Sequence, residues 1–93
     1  STSIDALLQQ MRSHDYGAPD IDRMTVELDA RLAERVTDPK ARQAQWHPES
    51  VHDCQFSVPY GLAIAAYTGE VFLDSYTPEA RSRMDVRALM SRM

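Results

Sequence analysis

Apolar and polar residues alternate along this chain with more than one period. In "STSIDALLQQMRSHDYG", Ile4, Leu7, Leu8 and Met11 fall at i, i+3, i+4 and i+7. That spacing predicts an amphipathic helix with one buried face. Thr2 and Asp5 resemble a capping pair at its start, and Gly17 is the expected stop. The next pattern is different. In "IDRMTVEL", Met24, Val26 and Leu28 alternate with Arg23, Thr25 and Glu27. Period two predicts a strand with one face buried. Residues 29–49 are mostly polar, with Pro39 and Pro48 as breakers. They read as a long connection with a short helical turn from Ala30 to Arg35.

The segment "DCQFSVPYGLAIAAYTGEV", residues 53–71, is apolar on nearly every side. A helix of that kind belongs in an interior. Pro59 cannot continue a helix that begins near Ser50, because its ring removes a backbone donor and crowds the previous turn. Ser57 supplies a fresh N-cap, and proline is tolerated in a first turn. Two helical pieces are expected, about 50–57 and 58–68, meeting at a kink, with Gly69 ending the second. "EVFLDSY" reads as a second, short strand. "TPEARSRMDVRALMSRM" holds one or two closing helices, with Val86, Leu89, Met90 and Met93 on one face. The expected fold is therefore α+β: one incomplete small domain over 1–93, with three to four helices and one or two strands. One good strand and one short one do not make a stable sheet. The strand at 21–28 lacks partners, so either another chain pairs with it or the native polypeptide is longer.

Composition narrows the function classes. A chain of 93 residues makes one domain at most and has a thin core. With 43% hydrophobic and 26% charged residues, it is globular in type. A net charge of −4 argues against a nucleic-acid partner, which calls for a basic face. Cys54 is the single cysteine, which excludes a disulfide framework and a paired-cysteine zinc site. A reducing, cytoplasmic setting fits. No stretch is apolar for long enough to suggest a membrane partner. The start lacks the pattern of a signal peptide. The absence of an initiator Met suggests processing, trimming or excision from a longer chain.

"QFSVPYGLAIAAYTGEV" resembles the 2-methylcitrate dehydratase (MmgE/PrpD) family, whose members carry a run like Ala-Gln-Phe-Ser-Leu-Pro-Tyr, a small-residue helix and a glycine. Gln55, Phe56, Ser57, Pro59, Tyr60, Ala63, Ala65 and Gly69 occupy matching places. Cys54 stands where alanine is usual and Val58 where leucine is usual. "IDALLQQMR", "DIDRMTVEL" and "DVRALMSRM" are similar to the family's flanking segments, in the same order. The resemblance implies part of the smaller, lid domain of a longer protein, with the active site between it and a large helical domain. It implies a lyase or isomerase that abstracts a proton next to a carboxylate in a small di- or tricarboxylic acid. Dehydration, decarboxylation and epimerisation all occur in the family. No cofactor is implied. Where the family often has a histidine, three residues before the Ile-Asp-Ala helix, this chain has Ser1. No complete catalytic set is present, and the isolated chain is expected to be inactive.

The candidate substrate-binding residues are Ser57, Tyr60 and Gln55. A hydroxyl at a broken helix can face a carboxylate, and free amides at a helix start favour anions. Equally, Ser57 can cap, Tyr60 can pack against the large domain, and Gln55 can satisfy loop backbone. His14 suits a helix C-terminus. His47 and His52 lie near Asp53 and Cys54, but their spacing fits no zinc motif, so no metal is expected. Cys54 reads as a buried structural thiol, and Trp46 as an anchor for the long connection. The alternative function is a non-catalytic interaction module, a homodimer formed through the unpaired strand.

Overall fold

The computed structural model describes residues 2–27, 31, 34, 38–71 and 73–93. Among these, the architecture is all-helical, which corrects the α+β expectation. The α-helices are α1 (Thr2–His14), α2 (Pro39–Trp46), α3 (Val51–Phe56), α4 (Val58–Thr68), α5 (Pro78–Arg81) and α6 (Met84–Met90). Single 3₁₀ turns lie at Ala18–Asp20 and Leu73–Tyr76. No helix among the described residues is long and apolar enough to cross a membrane.

Helix α4 is the centre. Every residue from Pro59 to Ala66 is buried. Helices α1, α2 and α6 pack on it, so an apolar surface all round is what its position demands. Its small residues, Gly61, Ala63, Ala65 and Ala66, leave room for neighbours to approach. The α1 face turns Leu7 into the core, with Ile4 and Met11 packed against it. Val86, Leu89 and Met90 of α6 are buried, and Met93 packs beside them.

The expected break at Pro59 is present. Ser57 ends α3 and starts α4, with φ −86° and ψ 116°, and Pro59 sits in the first turn of α4. Ser50 caps α3, its Oγ accepting the Asp53 N–H at 3.0 Å. Gly69 ends α4 at φ 81°, a left-handed conformation that glycine adopts without steric cost. At the end of α1 the job falls elsewhere. Asp15 takes the positive φ, 52°, and the Tyr16 N–H reaches back to the Met11 carbonyl at 3.2 Å. Gly17 instead precedes the first 3₁₀ turn, its N–H donating to the Asp20 carboxylate at 2.9 Å. The side chain of Thr2, half of the expected capping pair, lies outside the described residues.

The predicted strand at 21–28 is not a strand over its described part. Its alternation is real: Met24 and Val26 are half-buried, while Arg23, Thr25 and Glu27 are exposed. What is missing is a ladder. Among the described residues, one backbone hydrogen bond ties the segment to a distant part of the chain, from the Met24 N–H to the Arg92 carbonyl at 3.0 Å. Leu28 lies outside the described residues. The second predicted strand is not one either; Leu73–Tyr76 winds into a 3₁₀ turn. Pro39 was expected to break structure, yet it occupies the first turn of α2, where a missing N–H costs nothing. The Asp38 carboxylate caps that helix through the Ala41 N–H, at 3.4 Å. The helical turn predicted over 30–35 falls mostly outside the described residues; Arg31 and Glu34 are helical.

Candidate functional site

The break between α3 and α4 gathers most of the residues singled out in the sequence. A break interrupts the helical hydrogen-bond ladder and strands donors and acceptors. Here one residue of α2 satisfies them. The Gln45 side chain donates Nε2–H to the Phe56 carbonyl and accepts the Val58 N–H on Oε1, each at 2.8 Å. The Ser57 hydroxyl donates to the Gln45 carbonyl, and its Oγ accepts the Tyr60 N–H at 3.1 Å. Ser57 is therefore both a helix cap and a cross-link to α2. It is buried.

Tyr60 is fully enclosed, and its hydroxyl donates to the Ser75 carbonyl at the second 3₁₀ turn. Burial, with a smaller contribution from Cys54, pushes its phenol up to about 12, against the opposing pull of Arg87 and Arg81. It is neutral at pH 7, a hydrogen-bond donor and not a base. Its ring faces Tyr76 at 6.1 Å between centroids, and the Arg87 guanidinium lies 5.7 Å from its centroid. Gln55 is exposed on α3. Ser57 and Tyr60 thus come together at the kink with both hydroxyls engaged inside the chain, while Gln55 faces outward. The loop-satisfying role considered for Gln55 belongs to Gln45.

Two arginines complete the surroundings. Arg81 donates Nε–H to the Tyr76 carbonyl at 3.0 Å and a terminal N–H to the Glu49 carbonyl at 3.1 Å. Arg87 donates to the carbonyls of Arg81 and Pro48, each at 2.9 Å. They tie the 48–49 turn to the end of α5. Cys54 is buried beside Arg87. Burial raises its thiol pKa above the ordinary value, and the nearby Arg87 and Arg81 charges only partly oppose that. A raised pKa leaves little thiolate at neutral pH, which suits a packed thiol and not a nucleophile.

The histidines stay apart from this cluster. His14 sits in the last turn of α1, with Nδ1 3.1 Å from the Gln10 carbonyl. His47 caps the end of α2, and His52 stacks on exposed Phe56 at 4.7 Å. Among the described residues, no three His, Cys, Asp or Glu side chains are grouped as a metal ion requires. Trp46 does anchor the former "connection": it is half-buried at the end of α2, and Arg42 lies 4.2 Å over its ring.

Gln45, Ser75, Arg81 and Arg87 carry this arrangement, and none was picked out from the sequence. The side chains of Gln45, Arg81 and Arg87 each reach a backbone group at least five positions away, and Ser75 offers its own carbonyl to a side chain 15 positions away, for which no local pattern exists. Neither a curated protein nor a solved structure shows a significant match to the chain. A family model does: the MmgE/PrpD C-terminal domain matches residues 1–93. The chain, with its Gln-Phe-Ser-Val-Pro-Tyr break at the start of the buried central helix, belongs to the MmgE/PrpD family.

Proposed function

We propose that this chain is the lid domain of a lyase or isomerase acting on small di- or tricarboxylic acids. The observation that carries the reading is the match to the family's C-terminal domain over the full 93 residues. The large helical domain of the same polypeptide would supply the cationic groups that hold carboxylates and the base that takes the proton. In this reading the chain's own contribution is positional. The α3–α4 break is locked by Gln45 and Ser57, and it presents Gln55 and Phe56 outward beside a neutral Tyr60. Phe56 is 67% exposed, an apolar surface that a covering domain would bury. Substrate contact by Ser57 or Tyr60 would require the carbonyls of Gln45 and Ser75 to give up their hydroxyl donors. Gln55 needs no such rearrangement.

The test is turnover of 2-methylcitrate, cis-aconitate and iminodisuccinate by the isolated chain and by a longer polypeptide containing it. The longer form should process at least one, and the isolated chain none. A second reading is favoured by Met84, 86% exposed, and by Phe56: the chain serves as a non-catalytic homodimerisation module through such apolar surface. Sedimentation separates the readings. A concentration-independent monomer removes the second.

A further inference from the structure

On the flank of the domain, α2 and α6 bound an open cleft of about 580 Å³, which shares Arg87 with the surroundings of the α3–α4 break. That volume is in the range of small-molecule sites, about 300–1,000 Å³. Pro39, Arg42, Gln43, Trp46 and His47 line it from α2 and its end, and Arg87 and Ser91 from α6 and its end. Among the described residues, the lining contains two guanidiniums and an imidazole but no carboxylate. In a chain with 14 acidic and 10 basic residues, that segregation is local and against the overall balance.

Both guanidiniums are held in place without being neutralised. Arg42 lies over the Trp46 ring at 4.2 Å, and a cation over indole is attracted by the ring's negative face. Among the described residues, no carboxylate pairs with it. Arg87 spends two donors on the main-chain carbonyls of Arg81 and Pro48, which fix its head. Carbonyls orient the group but do not cancel its charge. Among the described residues, the one ion pair is Arg83 with Asp85, so neither Arg42 nor Arg87 has a carboxylate partner. An arginine fork matches carboxylate and phosphate oxygens two at a time; Arg42 offers such a fork, whereas Arg87, with Nε and one Nη on carbonyls and its guanidinium over Tyr60, offers its remaining terminal N–H groups.

We propose that this cleft binds a small molecule carrying two anionic groups, one received by Arg42 and the other by Arg87. The site does not depend on the catalytic reading above and is present in the chain by itself. Carboxylates and phosphates share the required chemistry, and the probes separate them.

Trp46 is the sole tryptophan, so its fluorescence reports on the cleft directly. The chain is titrated with succinate and with inorganic pyrophosphate. Acetate and sodium chloride at equal ionic strength serve as controls. The expected result is a saturable change with succinate, pyrophosphate or both, at concentrations at least about tenfold below those needed for acetate. Saturation by succinate alone assigns carboxylates, and by pyrophosphate alone phosphates. Arg42→Gln, an exposed helix position, should weaken binding about tenfold or more, and Arg42→Lys should fall between, keeping charge but losing the fork. Circular dichroism confirms that the variants are folded; should Arg42→Gln fail to fold, Arg42→Lys decides. The proposal is overturned if neither divalent probe saturates, if acetate binds as well, or if the folded Arg42 variants bind like the parent chain.

Discussion

At the scale of residues, the structure turns on side chains that repair a broken helix. Ser57→Ala removes the cap of α4 and the hydrogen bond to Gln45 together. The expected loss is about 1–2 kcal/mol for the cap alone, read as a lower urea midpoint at unchanged slope. Gln45→Ala should cost about 2 kcal/mol, because it strips hydrogen bonds from both sides of the break. Gln45→Glu should cost less: it keeps an acceptor for the Val58 N–H and loses the donor to Phe56. Equal losses for the two variants would show that the amide's two-sided bonding is unimportant. Tyr60 gives a pH signature. Its phenol is raised from an ordinary value near 10 to about 12 in the folded chain, by burial first. The folded state therefore holds its proton where the unfolded state releases it. That contribution is complete below about pH 10 and is lost as pH climbs toward 12. Tyr60→Phe should flatten the fall in stability over that window, and an unchanged fall would assign it to other groups. Ser57 was legible in the sequence as a cap, whereas Tyr60, read there as packing against another domain, is enclosed within this chain. Gln45 was not legible, since its partners lie eleven and thirteen residues on and are backbone atoms.

At the scale of elements, sequence signals worked where the physics is local. Ser50, Ser57, Pro59 and Gly69 mark the ends of α3 and α4, because capping and left-handed termination depend on one or two residues. Pro39 misled for the same kind of reason. A proline is a breaker inside a helix and a starter in its first turn, and the deciding residue was its neighbour Asp38. The segment 21–27 shows the limit of periodicity. Alternating burial needs one packed face, and a strand also needs a neighbour with free backbone groups. The first condition is met at Met24 and Val26; the second is not, since among the described residues the segment's one backbone bond across the fold is that to Arg92. Hydrogen exchange distinguishes the cases. The Met24 amide should be protected, while those of Thr25, Val26 and Glu27 exchange quickly. Protection at alternate amides would mean that the segment is paired in a sheet.

At the scale of the molecule, a thin helical domain is arranged around one helix with no polar face. Helix α4 contributes nothing to the surface between Pro59 and Ala66, so the domain's chemistry lies at its ends and on its partners. At one end is the Gln45-locked break, with a neutral Tyr60 beneath and Gln55 and Phe56 outside. On the flank is the cationic cleft of α2 and α6. What the sequence revealed at this scale came through resemblance: the family was legible in "QFSVPYG", whereas the lack of a sheet among the described residues was not. Under the proposed function the chain's part in catalysis is a supporting one. The direct measurement is turnover of 2-methylcitrate, cis-aconitate and iminodisuccinate, monitored by proton exchange and product formation. The assay compares the 93-residue chain with a longer polypeptide that contains it. Activity on at least one substrate is expected in the long form and none in the isolated chain. Turnover by the mass-verified isolated chain, or an inert long form that is folded, would contradict that expectation.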